Sequence, residues 1–208
     1  MNGESTITTL LKKDERRQKG EATRRRLLEK TLEVLMSEGI QGFTARNVAQ
    51  HAGVSPATLF HHFPTLDELL VDGVFLAIEG MMNAQHTQAF PNLRAYLRGL
   101  GARMVGLLKD NLTLLNIYYV LMERAAFNTA VRDKMAEYQR FYLRQVETDL
   151  MPLLGKSALG QRSHLSWMVM TLMDGLGNDF MVNHDLERIE KLWNDTADFI
   201  AAAVAPAP

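Results

Sequence analysis

FTARNVAQHAGVSPATLFHHF, running from Phe43 to Phe63, contains two short helical patterns on either side of one tight turn. The first covers Ala45 to His51, with Val48 and Ala49 facing inward and Arg46, Asn47 and Gln50 facing outward. Gly53 supplies the backbone freedom that a sharp reversal requires, and Val54 plugs the turn. Ser55 followed by Pro56 reads as an N-cap with proline at the first helical position, where its missing N–H costs nothing. Leu59 and Phe63, four apart, point back into the domain, which leaves Pro56, Ala57, Thr58, His61 and His62 on the outside. Two helices joined this closely form a helix-turn-helix, and the outward set on the second is what a recognition helix lays into a major groove.

The pattern extends on both sides. Upstream, Arg24 to Gly39 carries Leu28, Leu32, Leu35 and Met36 on one face of a helix; downstream, HHFPTLDELL closes the motif and opens a long helix. Taken together, this arrangement resembles the TetR family of bacterial transcriptional regulators, specifically over Arg24 to Leu70 and only in size and helical pattern beyond. The resemblance implies that Thr44 caps the first motif helix and touches a phosphate, and that Arg46 reaches a base edge, where an arginine takes guanine O6 and N7 together. It also implies that Ser55, Pro56, Ala57 and Thr58 form the DNA-facing start of the recognition helix, with His61 and His62 further along it. His62 reads equally well as packed against the long helix that follows. Three positions depart from the family: Ala45, Phe60 and Leu66 stand where relatives usually have threonine, tyrosine and lysine, all phosphate contacts.

Residues 1 to 30 hold nine basic and five acidic side chains, +4 locally, so the remainder carries −5 of a net charge of −1. DNA responds to a local basic surface rather than to a chain average. KKDERRQKGEATRRR, which includes Arg24, reads either as a basic arm that tracks phosphates or as a solvated, mixed-charge entry to a helix. Residues 1–20 are expected to form a flexible arm, 21–66 the helix-turn-helix domain, and 67–208 an effector-binding and dimerisation domain.

With 208 residues, 47% hydrophobic and 23% charged, the chain is long enough to bury a core of ordinary composition. It contains no cysteine, which excludes disulfides and cysteine-based metal sites and agrees with a reducing compartment. No apolar run approaches a membrane span and the N-terminus does not resemble a secretion signal, so the expected location is the cytoplasm. Beyond Leu66 the patterns give helices at about 66–88, 93–109, 111–126, 128–154, 157–183 and 186–204, and no segment alternates with period two. The fold class is therefore all-α, with a three-helix head and about nine helices in all.

The helix at 157–183 is apolar nearly all round, and the last helix has one wide apolar stripe. Two copies packing as a four-helix bundle would cover both, with Leu165, Met168, Leu172, Leu176, Ile189, Trp193 and Ile200 at the seam. The resemblance also implies such a homodimer, whose two heads would read a palindrome in double-stranded DNA. The middle helices are rich in methionine and aromatics, and read either as ordinary core or as a pocket for a small effector lined by Met104, Leu108, Tyr118, Met122, Tyr142, Met170 and Asp174. Asp174, Asn178 and Asp179 are out of place on an apolar helix and need partners, a ligand or an arginine among them.

Enzymatic motifs are missing. Gly155-Lys156-Ser157 ends like a phosphate-binding loop, but the glycine required five residues earlier is Leu150. The six histidines show no i,i+4 pair, and no serine sits in a nucleophile turn. No metal or cofactor is expected. The sequence thus points to a dimeric, ligand-responsive repressor released by a largely apolar effector. Its rivals are an effector-independent DNA-binding auxiliary protein with a full core and, more remotely, an enzyme using Asp174 and a tyrosine.

Overall fold

The computed structural model describes residues 3–83, 90–155 and 159–204. Among them are nine α-helices: α1 (Gly3–Gly42), α2 (Ala45–His51), α3 (Pro56–His62), α4 (Leu66–Asn83), α5 (Leu93–Asp110), α6 (Leu112–Phe127), α7 (Thr129–Leu150), α8 (Arg162–Asn183) and α9 (Leu186–Val204). The described residues contain no strand. No helix among them is long and apolar enough to cross a membrane. The chain divides into two compact units, Met1–Ala77 and Ile78–Pro208.

In the first unit α1 begins at Gly3, so residues 3–20 of the expected flexible arm lie in a helix. The physical reason is local: from Lys12 to Arg26 the chain is almost entirely strong helix formers, with Gly20 the main exception. Pairs one turn apart reinforce it, Arg17 with Asp14 and Glu21, and Arg25 with Glu29. Gly39 adopts φ 67° and ψ −170°, which breaks the helical path just before α2, where the sequence pattern ends the helix. Leu27, Val34, Leu35, Phe43, Val48, Leu59 and Phe63 are buried and form the interior of the head. The first half of α4 belongs there too: Leu69, Leu70, Val71 and Val74 are fully buried, and Gly73 lies so close to Thr31 that a Cβ would stand 3.0 Å from its methyl group. The first unit therefore ends at Ala77, later than the sequence division after residue 66.

In the second unit α5 packs along α9, and α7 lies against α6 and α8. Leu97, Leu100, Met104, Leu108, Val146, Leu150, Val169, Ile189 and Trp193 share one core cluster. Trp193 is buried and its Nε1–H donates to the Leu97 carbonyl at 2.7 Å. Tyr96 donates to Asp149 at 3.3 Å, and Arg94 and Arg98 both pair with Asp198. Asn92 and Asn128 cap α5 and α7 through their side-chain oxygens. Two helix limits differ from expectation. α7 stops at Leu150 and continues as a single 3-10 turn, Met151–Leu153, because Pro152 has no N–H to donate. α8 starts at Arg162, after a 3-10 turn at Leu159–Gln161, rather than near 157. The expected end of α4 near Gln88 lies outside the described residues.

The wide apolar stripe of α9 is divided between two surroundings. Ile189, Trp193, Ala197 and Ile200 are buried within the protomer, as is Leu165 of α8. Four of the expected dimer-seam residues, Leu165, Ile189, Trp193 and Ile200, are thus occupied by the protomer's own core, because α9 needs its inner half to close over α5. Met168 is exposed, and Leu172 and Leu176 are half-buried. The free apolar surface is the outer half: Leu192 and Phe199 on α9 and Trp167, Met168 and Val182 on α8, with Phe199 74% exposed.

Candidate nucleic-acid interface

Three side-chain caps and a left-handed glycine build the surface of the head. Thr44 precedes α2 in an extended conformation, and its hydroxyl accepts from the Asn47 N–H at 3.2 Å. Ala52 caps the C-terminal end of α2, and Gly53 takes φ 62°, a region open to glycine at no steric cost. The Val54 N–H then returns to the Ala49 carbonyl at 3.0 Å. Ser55 caps α3, accepting from the Thr58 N–H at 3.1 Å, with its oxygen 2.9 Å from the Thr58 hydroxyl. Pro56 occupies the first turn. Thr65 caps α4 by accepting from the Glu68 N–H.

These caps leave a defined set of side chains outside. Thr44, Arg46, Ser55, Pro56, Ala57, Phe60 and His61 are exposed, while Thr58 is half-buried with its hydroxyl engaged by Ser55. Asn47, which the periodicity places outside, turns inward: its amide donates to Glu38 and to the Gly42 carbonyl, both at 2.9 Å, and so ties α2 to the end of α1. Nothing in the periodicity of α2 distinguishes a linking asparagine from a reading one, since the partner is nine residues away in sequence. His62 is half-buried, and a Cβ at Gly20 of α1 would stand 4.0 Å from its Cε1. Burial, then the neighbouring His61 and Arg24, lower its pKa from the usual histidine value.

Arg24 is likewise engaged within the head. Its guanidinium pairs with the buried carboxylate of Asp72 and lies 4.5 Å from the centroid of the Phe63 ring. It thereby braces the end of the recognition helix against α1 and α4, a role that depends on a partner 48 positions away.

The residues expected to line an effector pocket do not share one environment. Met104 and Leu108 are packed in the core of the second unit, Tyr142 is buried, Tyr118 and Met170 are half-buried, and Met122 is 49% exposed. Met122 follows the buried Leu121, and the helical step of α6 turns it outward. Asp174 reaches solvent along one side, yet burial of its carboxyl pushes its pKa above the usual carboxylate range. Burial and then the Asp174 charge raise the pKa of both Tyr118 and Tyr119, so the three groups stand together. The two tyrosine rings meet edge to face at 5.8 Å, and Gly177 brings the α8 backbone close to the Tyr119 hydroxyl. Asp179 finds partners in Arg188 and Asn183. Among the described residues no three histidine, aspartate or glutamate side chains gather as metal ligands would.

A capped α2, a left-handed glycine and a proline-started α3 with an outward polar edge define a DNA-binding helix-turn-helix domain. Residues 27–72 match the family model described as bacterial regulatory proteins, tetR family. The HTH-type transcriptional regulator PksA of Bacillus subtilis (strain 168) is 41% identical over 59 residues, which are 28% of this chain and 29% of that protein. The match to this curated relative thus spans under a third of its length. A transcriptional regulator of Rhodococcus sp. Rha1 shares the fold over 89% of this chain and 99% of its own, with TM-score 0.64 and 20% identity. The multidrug binding protein EbrR, complexed with proflavin, shares it over 83% of this chain and 98% of its own, with TM-score 0.58 and 23% identity.

Proposed function

We propose that this chain is a homodimeric, ligand-responsive transcriptional repressor that reads a palindromic operator in double-stranded DNA. The observation that carries the reading is the outer edge of the head, where Thr44, Arg46, Pro56, Ala57 and His61 stand exposed on two capped helices. Thr44 offers a hydroxyl to a phosphate, Arg46 a two-pronged donor to guanine, and Pro56 and Ala57 apolar contact to thymine methyls. A recognition helix of seven residues reaches only a few base pairs, so a twofold pair of heads is what makes a selective reader. TetR regulators act as dimers. Here a second copy is accommodated by the apolar groove lined by His164, Met168, Phe199, Ala203 and Val204, together with Trp167 and Leu192.

The effector is a small, largely apolar organic cation. Asp174 supplies a carboxylate beside two tyrosines whose rings attract positive charge. EbrR, of similar fold, is complexed with proflavin, an aromatic cation. Release from DNA follows if the effector prefers the conformation in which the two heads no longer match the operator.

The test begins with titration of the full chain against DNA flanking its own coding region, with sedimentation of the free protein. The wild-type chain sediments as a dimer and saturates one palindromic segment. Phe199→Glu, which places a charge at an exposed position of the seam, sediments as a folded monomer with only half-site affinity. A Phe199→Glu dimer with unchanged operator affinity would place the seam elsewhere. Proflavin added to the wild-type complex releases the DNA, and Asp174→Asn needs about ten- to hundredfold more, the effect of removing one charge-assisted hydrogen bond of about 1.5–3 kcal/mol. Equal release in both removes Asp174 from the effector site.

A further inference from the structure

The helix α1 runs well beyond the packed head. Its burial begins in earnest at Leu27 and Leu28, and residues 14–19 are exposed. Walking back along α1, its neighbours change from Gly73 at Thr31, to Asp72 and Phe63 at Arg24, to His62 at Gly20. The free part of the helix therefore leaves the head beside the C-terminal end of the recognition helix.

Charges on this segment are sorted by side. Arg17 pairs with Asp14 and Glu21, Arg25 with Glu29 and Lys30 with Glu33, so those cations are neutralised within the helix. Arg16, Lys19 and Arg26 are exposed and have no ion pair among the described residues. At about 100° per residue their spacing places all three within a quarter-turn, along about 15 Å of helix. Gly20, beside His62, borders this stripe one turn after Arg16, and Glu15 is its acidic neighbour.

The geometry points to a second DNA contact, in which Arg16, Lys19 and Arg26 hold phosphates flanking the base pairs that α3 reads. This rests on the DNA-binding reading above and deepens it: the stripe supplies sequence-independent affinity from a rigid helix that projects past the recognition helix.

Salt dependence separates this contact from base reading. Binding of the full chain is measured at several salt concentrations on two duplexes, the DNA flanking its own coding region and a random-sequence duplex of equal length. The combined Arg16→Ala, Lys19→Ala, Arg26→Ala variant has a shallower slope of log affinity against log salt, by about 0.9 for each phosphate that is no longer neutralised. That amounts to about two to three per half-site, equal on both duplexes. Arg16→Lys with Arg26→Lys keeps the wild-type slope, and the exposed positions leave the melting temperature unchanged. A wild-type slope in the triple alanine variant overturns the stripe while leaving the regulator reading intact, provided Arg46→Ala still loses its preference for the flanking DNA. No binding of wild-type protein to either duplex overturns both.

Discussion

Replacing Gly101 with alanine lowers the melting temperature of the second unit by about 2–12 °C, while the same change at Gly106 of the same helix raises it by up to about 4 °C. A Cβ at Gly101 would lie 1.9 Å from Cδ1 and 2.2 Å from Nε1 of Trp193. The indole has no room to retreat, being 2% exposed and held by its hydrogen bond to the Leu97 carbonyl. Overpacking of this kind costs about 1–3 kcal/mol, and displacing the indole adds about 1 kcal/mol for the broken hydrogen bond. The better helix propensity of alanine returns about 1 kcal/mol, leaving a net loss of about 1–3 kcal/mol. Gly106 has no neighbouring atom within 4 Å of a Cβ, so there only the propensity gain remains. Thermal unfolding of both variants checks the pair. Equal shifts would mean that α5 and α9 do not approach as closely as Gly101 and Trp193 imply.

Arg46→Ala relaxes discrimination at one symmetric pair of operator positions while barely changing non-specific affinity. Arg46 is exposed on the first turn of α2 and takes no part in the Thr44 cap, so truncation leaves the head folded. A bidentate arginine–guanine pair is worth about 1–3 kcal/mol of discrimination, and a twofold complex forfeits it twice. Specific binding therefore weakens by about thirtyfold or more, with preference relaxed at one symmetric pair of base positions. Titration against single-base operator variants resolves this. A uniform loss across all sequences, with a shallower salt slope, would make Arg46 a phosphate contact instead.

The head was legible in the sequence because its determinants are local. Gly53, Ser55, Pro56 and Thr44 act on backbone groups within three or four residues, and each does in the structure what its residue type requires. Side chains that depart from their expected positions have partners distant in sequence. Arg24 looked like one more cation of a basic run until α4 brought Asp72 and Phe63 against it. Asn47 looked outward until α1 supplied Glu38. The arm over residues 1–20 looked flexible because it lacks core residues, yet from Lys12 its propensity for helix is high.

In the body the sequence by itself determined that α8 and α9 carry more apolar surface than one helical face can hide. Only the tertiary structure decided which half goes inward, sending Ile189, Trp193 and Ile200 to the protomer core and leaving Leu192 and Phe199 outside. The physical reason is that helical periodicity reports the width of an apolar stripe but not the direction from which it is covered. That direction is set by where α5 lies, and α5 can approach α9 because Gly101 makes room for one indole.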